Sequence, residues 1–365
     1  MKAGIALLAA LGFTATVQAA SFVNNKVDYG YQFAALKASG QAQVTQSHHV
    51  DVPADGVRLH FSKTDLPEGA ALLIRHGKSQ QLLRWTGEAL KQFSYATPYL
   101  NAPVNIQVEV PAGQVFKGLR IVEMEYETLD TKDGLRSICG PTDERRPSNM
   151  KPFARMVRST TGTAGCTATM IGPTCMVSAG HCTSTLAVAQ FNVPGESDQG
   201  PRYSKPEDQY PLVEILDSQN GGQGRDWAVF RVNRNPITNK FPGELQGMVG
   251  LSIEAPGPGT QIAIVGYGSD DERSRNFTQQ ADTGEIVRVD GPTLRYVIDT
   301  MPGNSGSSVL DRATNKIIGI HTHGGCSRSG GSNAGTALAH VPRFQEAVQA
   351  CLSQDIQLWN RIQGR

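Results

Sequence analysis

None of the six cysteines in this chain falls before position 139: they are Cys139, Cys166, Cys175, Cys182, Cys326 and Cys351. That asymmetry divides the 365 residues into a cysteine-free first part and a second part that can be cross-linked. Cross-linking needs an oxidising compartment, and the N-terminus points to one. Met1-Lys2 precedes an apolar run from Ala3 to Phe13, then small residues, and Val17-Gln-Ala19 fits a small-x-small cleavage rule with Ala20 as an alternative end. The stretch reads as a secretory signal peptide over residues 1–20. It is too short to span a bilayer, and no later run is long enough. The expected product is secreted, extracellular or periplasmic, with disulfides and no membrane association.

Formal net charge is +1, which gives no reason to expect a nucleic-acid partner. The 39 glycines suit a strand-and-turn protein better than a helical one. In the first part, apolar and polar residues alternate over Val57-Arg-Leu-His-Phe61 and Val104-Asn-Ile-Gln-Val-Glu-Val110, and Leu119 to Tyr126 is mostly apolar with interleaved charges. Pro53-Ala-Asp-Gly56, Leu66-Pro-Glu-Gly69 and Pro111-Ala-Gly113 supply turns between them. Half-buried antiparallel strands, and so a small β-sandwich over residues 21–136, are expected. His48, His49 and His60 have no acidic or cysteine partner at ligand spacing and read as ordinary strand histidines. Trp85, Phe93, Tyr95 and Tyr99 leave open a binding role for this domain, as in an adhesin. The polar stretch Thr128 to Arg136 reads as an exposed linker open to proteolysis.

Three stretches of the second part, residues 137–365, carry chemistry. Thr300-Met-Pro-Gly-Asn-Ser-Gly-Ser-Ser-Val309 is a tight glycine-rich turn presenting Ser305. A serine hydroxyl needs a base to take its proton, and glycines let backbone N–H groups approach a reacting carbonyl. Cys166 and Cys182 flank a strand, a Gly-Pro turn and a second strand that ends in Ser178-Ala-Gly-His181. A bridge between them would hold the His181 loop and contribute about 3 kcal/mol. Gly224-Arg-Asp226-Trp-Ala-Val-Phe-Arg-Val232 puts Asp226 at the mouth of an apolar strand, where a buried carboxylate needs a partner such as a histidine N–H.

In the order His181, Asp226, Ser305, these stretches resemble the His, Asp and Ser boxes of the chymotrypsin-like serine endopeptidases. Gly319-Ile-His-Thr-His-Gly324 is similar to the family's strand beside the specificity pocket, and the resemblance runs from about Met156 to Leu352. It implies an all-β protease domain of two perpendicular β-barrels with the site between them, a catalytic triad of His181, Asp226 and Ser305, and an oxyanion hole from the N–H groups of Gly303 and Ser305. It also implies that Thr322 hydrogen-bonds the buried Asp. Val341, Phe344, Val348, Cys351 and Leu352 fall at helical spacing and add a C-terminal amphipathic helix.

Asn304 stands where animal members carry an Asp that pairs with a new N-terminus after cleavage. The bacterial glutamyl endopeptidase-like branch is similar here, and activation would then come from removal of the first domain. In that branch the positions of Thr300 and His321 bind a substrate carboxylate, which implies cleavage after Glu, with Asp weaker. Asp299 occupies the position that binds Arg or Lys in trypsin-like enzymes, so basic specificity is the alternative. A silent homologue acting by binding is a further one. His321 and His323 share a strand face, but no third ligand is apparent, and neither metal nor cofactor is expected. Beyond Cys166–Cys182, the expected pairs are Cys139–Cys326 and Cys175–Cys351, although sequence alone does not fix pairing. The expected partners are polypeptide substrates, for a monomer whose prodomain binds the protease domain in cis.

Overall fold

The computed structural model describes residues 21–77, 79–130, 136–158, 165–195 and 202–362. The expected leader lies outside these residues, as does part of the expected linker.

The first part forms a β-sandwich. One sheet runs in the order Ser21–Phe33, Leu119–Asp130, Gly56–Phe61, Leu100–Asn101. The other runs Gln43–Val44, Val104–Val110, Ala71–His76, Leu82–Thr86, with His48–Val50 also paired to Val104–Val110. Val104–Val110 alternates strictly between buried and half-buried residues, as its sequence alternates. A short helix, Gly87–Gln92, was not apparent in the sequence; Thr86 caps it by accepting from the Ala89 N–H.

The aromatic residues that kept a surface-binding role open are mostly inside. Trp85 and Tyr99 are sealed, Phe93 is buried, and the Trp85 ring packs edge-on against Phe93. His60 does have an acidic partner, contrary to the sequence reading: its Nε2 lies 2.8 Å from Glu125, a buried carboxylate that also bonds Tyr99. The neighbour is one strand over, where His60 pairs with Glu123, and so is invisible along the chain.

The second part holds two closed barrels. The first is formed by Phe153–Arg158, Cys166–Met170, Cys175–Ser178, Asp226–Val232, Gln209–Asn220 and Leu186–Gln190. In the second, Gln280–Asp290, Gln261–Gly266, Ser308–Asp311, Lys316–His323, Asn333–Ala337 and Thr293–Val297 close when the last pairs with the first. Closure removes the exposed strand edges that an open sheet would leave. A common core joins Met156, Val177 and Trp227 of the first barrel to Val265, Leu310 and Ile320 of the second.

The C-terminal helix Pro342–Ile362 opens on a proline, whose fixed φ suits a first helical position. It buries Phe344, Val348 and Cys351 against the first barrel, with Phe344 stacked on Trp227 at 4.9 Å. The structure pairs Cys139–Cys326, Cys166–Cys182 and Cys175–Cys351, the last tying the helix to an inner strand.

The sandwich and the first barrel are packed together. The sandwich core takes in Val157, Val188 and Tyr203 of the barrel side. Gln209 exchanges hydrogen bonds with the backbone of Tyr99, and Tyr203 donates to Glu127 at 2.9 Å.

Candidate active site

His181 and Asp226 come from neighbouring parts of the first barrel. Asp226 opens an almost wholly buried strand, and its carboxylate would be costly there without donors. His181 supplies two: its backbone N–H donates to Oδ1 at 2.9 Å, and Nδ1 lies 2.6 Å from Oδ2. One carboxylate therefore fixes both the loop and the ring. The Cys166–Cys182 bridge closes the segment that ends in this loop.

Ser305 is brought to the same place by the turn before Ser308–Asp311. The Ser305 carbonyl accepts from the Thr167 N–H at 2.8 Å, and the Thr167 hydroxyl donates to the Gly303 carbonyl at 2.9 Å. Ser178 in turn donates to the Thr167 carbonyl. Gly306 has φ +89°, and a Cβ there would fall 2.1 Å from Ser178 Oγ, so only glycine fits where the Ser turn meets the His box. Ser305 is half-buried; among the described residues its hydroxyl and His181 Nε2 make no hydrogen bond, either to each other or to another group.

The expected oxyanion donors are free in the same sense: neither the Gly303 nor the Ser305 N–H bonds to a described residue. Their direction has a cause. The Pro302 carbonyl accepts from the Ser269 N–H at 2.8 Å. In a trans peptide C=O and N–H point in opposite directions, so this bond turns the Gly303 N–H away from Ser269. Behind the turn, buried Asn304 and Arg145, from the segment that enters the barrels, both pack against Gly268. A Cβ on Gly268 would lie 2.3 Å from Asn304 Nδ2 and 2.7 Å from Arg145 Nη1. Arg145 is buried and paired with Asp143 at 2.6 Å.

Thr322 does not do what the resemblance implied. Its hydroxyl faces the Ala334 carbonyl at 3.4 Å and the His323 ring at 2.8 Å, not Asp226. Thr336 instead brackets the Asp226 backbone, accepting from its N–H at 3.1 Å and donating to its carbonyl at 2.8 Å. Sequence reading missed Thr336 and Thr167, because hydroxyls in strands carry no local signal of their distant partners.

Asp299 and Thr300 are adjacent past the end of the strand Thr293–Val297, and their side chains bond different partners. The Asp299 carboxylate accepts from the backbone N–H of Cys139 at 2.6 Å and of Glu144 at 2.7 Å. Burial raises its pKa, and these two donors oppose the rise. Thr300 Oγ1 accepts from Asn333 Nδ2 at 3.0 Å. Asn333 Oδ1 takes N–H groups of Gly325 and Cys326, which fixes the amide orientation and leaves the Thr300 hydroxyl proton free to be donated elsewhere.

His321 is buried, with Nδ1 2.7 Å from the Tyr296 hydroxyl. Burial, aided by His323 and His181 and opposed by Asp226, pushes its pKa down to about 3. The ring is therefore neutral at neutral pH, and the charge that the sequence reading allowed it is absent. His323 is also shifted down by burial, and its Nδ1 is engaged by Thr322.

The family model described as Trypsin matches residues 141–348. A glutamyl endopeptidase of Bacillus licheniformis is 26% identical over 208 residues, which cover 52% of this chain and 62% of that protein's length. Among solved structures, a Glu endopeptidase in complex with MPD gives a TM-score of 0.47 at 22% identity, covering 59% of this chain and 100% of that one. A thermostable serine protease, AL20, from an extremophilic microorganism gives 0.47 at 12% identity, covering 57% of this chain and 99% of that one. The matched family region spans both barrels and contains His181, Asp226 and Ser305, and the chain belongs to the trypsin family of serine endopeptidases.

Proposed function

We propose that this chain is an exported serine endopeptidase that cuts after Glu, and more weakly after Asp. The preference rests on one observation: the Asp299 carboxylate is held by two backbone N–H groups, while Thr300 and a neutral His321 keep donor capacity. A site of unpaired donors favours a substrate acceptor and rejects side chains that lack one. The glutamyl endopeptidase relative supports the same reading, although the match spans only 62% of its length.

In this mechanism the Ser305 hydroxyl attacks the carbonyl carbon and His181 Nε2 takes its proton. Asp226, on Nδ1, keeps the ring in the tautomer that can accept and stabilises the imidazolium. The Gly303 and Ser305 N–H groups hold the carbonyl oxygen as it gains charge, each donor worth roughly 10²–10³ in rate. His181 returns the proton to the leaving amine. Water then hydrolyses the acyl-enzyme by the same proton path in reverse.

The first domain, residues 21–136, is read as a prodomain bound in cis and removed on maturation, from a chain that starts with a leader at 1–20. Its packing through Gln209 and Tyr203 supports the first point. The test is labelling with a fluorophosphonate, then profiling of cleavage in a peptide mixture. Label on Ser305, absent in Ser305→Ala, and cuts after Glu are expected. An unlabelled wild type, or cuts after Arg and Lys, would overturn the reading.

A further inference from the structure

The Tyr296 hydroxyl has a single hydrogen to donate and, among the described residues, a single partner, His321 Nδ1 at 2.7 Å. Tyr296 is wholly buried in the second barrel's apolar core, among Ile262, Ile264, Ile286, Leu294 and Ile298. It reaches His321 across the intervening strand Asn333–Ala337, past Gly335, where a Cβ would stand 3.1 Å from the hydroxyl. Two arrangements fit that distance. If His321 Nδ1 carried the proton and donated, the phenol hydrogen would be left in hydrocarbon with no acceptor. If the phenol donates, both groups are satisfied. An unpaired buried hydroxyl proton is costly enough to bias the two by roughly ten- to a hundredfold. Burial also raises the phenol pKa well above its ordinary value, so the hydrogen is always there to donate. The other ring nitrogen, Nε2, has no partner among the described residues and is not among the sealed unpartnered atoms.

We propose that Tyr296 is the positioning residue for substrate recognition: by donating to Nδ1 it locks His321 as the Nε2–H tautomer, so the neutral ring offers a hydrogen rather than a lone pair to the substrate carboxylate. The inference rests on the proposed Glu preference for what the donor recognises, but the tautomer itself does not depend on it. Asn333 does the equivalent for Thr300, by occupying its acceptor side. Without the lock, a free neutral imidazole would present Nε2 as an acceptor for part of the time and repel the carboxylate.

The test has two arms on the full chain. In the first, wild type and Tyr296→Phe are assayed on matched peptides with Glu, Gln or Leu before the cut. A fall of about twofold to fivefold in kcat/KM for Glu relative to Leu is expected, set by the fraction of His321 that is no longer the Nε2–H tautomer. In the second, nitrogen-15 spectra of labelled histidine in a Ser305→Ala background report the His321 tautomer directly. Nε2–H is expected when Tyr296 is present, and a mixture of tautomers in Tyr296→Phe. An Nδ1–H ring in the presence of Tyr296, or an unchanged Glu rate in Tyr296→Phe, overturns the proposal. If Tyr296→Phe does not fold, the tautomer in the Tyr296 protein decides. A wild type that does not prefer Glu while the ring is Nε2–H overturns the substrate reading and the recognition role, and leaves the tautomer assignment standing.

Discussion

Replacing Asp299 by Ala separates the two specificities that its position allows. In the structure the carboxylate serves the chain: it accepts the N–H of Cys139 at 2.6 Å and of Glu144 at 2.7 Å. Removing it strands two donors in a mostly buried place, at about 1–3 kcal/mol each, or roughly 2–6 kcal/mol together. For a folding unit of this size each kcal/mol shifts Tm by about 2–4 °C, so a fall of roughly 4–24 °C is expected. Cleavage after Glu should stay within about threefold at temperatures below the new transition, because no donor toward the substrate is lost. Thermal unfolding in a Ser305→Ala background, alongside kcat/KM for Glu and Arg peptides, reads both effects. Wild-type cleavage after Arg that vanishes in Asp299→Ala, with Tm unmoved, would refute the reasoning and place the carboxylate in the pocket.

Asp226→Asn should cost on the order of 10⁴ in kcat, because the amide can accept from the His181 backbone N–H only by turning its NH₂ toward Nδ1, which imposes the wrong tautomer; a loss below tenfold would remove Asp226 from the triad. Because His321 is pushed down to about 3, the ratio of Glu to Gln cleavage should stay flat from about pH 5 to 8, whereas a charged histidine would lose the preference as pH rises through its ordinary value of about 6.5. The same depressed pKa contributes stability that is full above the unfolded value and is lost as pH falls toward the folded one, with a slope of up to about 1.4 kcal/mol per unit from this group; His321→Gln should flatten that slope in urea titrations. Maturation should cut after the strand that ends at Asp130 and before Cys139, because Glu127 is buried and bonded by Tyr203; N-terminal sequencing that finds fully active enzyme starting near Ser21 would contradict a removable prodomain.

The fold was legible where the signal is local. Strict alternation over Val104 to Val110 gives a strand with one buried face, and the spacing of Phe344, Val348 and Cys351 gives the last helix. The His181 and Ser305 turns were legible for the same reason, since their glycines answer to close backbone approach, as Gly306 against Ser178 illustrates. The short helix Gly87–Gln92 was not, being too brief to establish a period.

The available chemistry is written along the chain: a serine, a histidine and an aspartate on turns and strand ends, in an order that resembles one family. Which way each group faces, and what it meets, came from folding alone. Asp299 and Thr300 are neighbours whose side chains bond different, distant partners, and nothing local says which of them the pocket takes. Thr322 and Thr336 are both strand hydroxyls, yet only Thr336 reaches Asp226. Tyr296 and His321 stand 25 positions apart and meet only because the sheet sets the later strand Asn333–Ala337 between their two strands. Burial strips His321 of its charge, and under the proposal above the Tyr296 hydroxyl decides which nitrogen keeps the hydrogen.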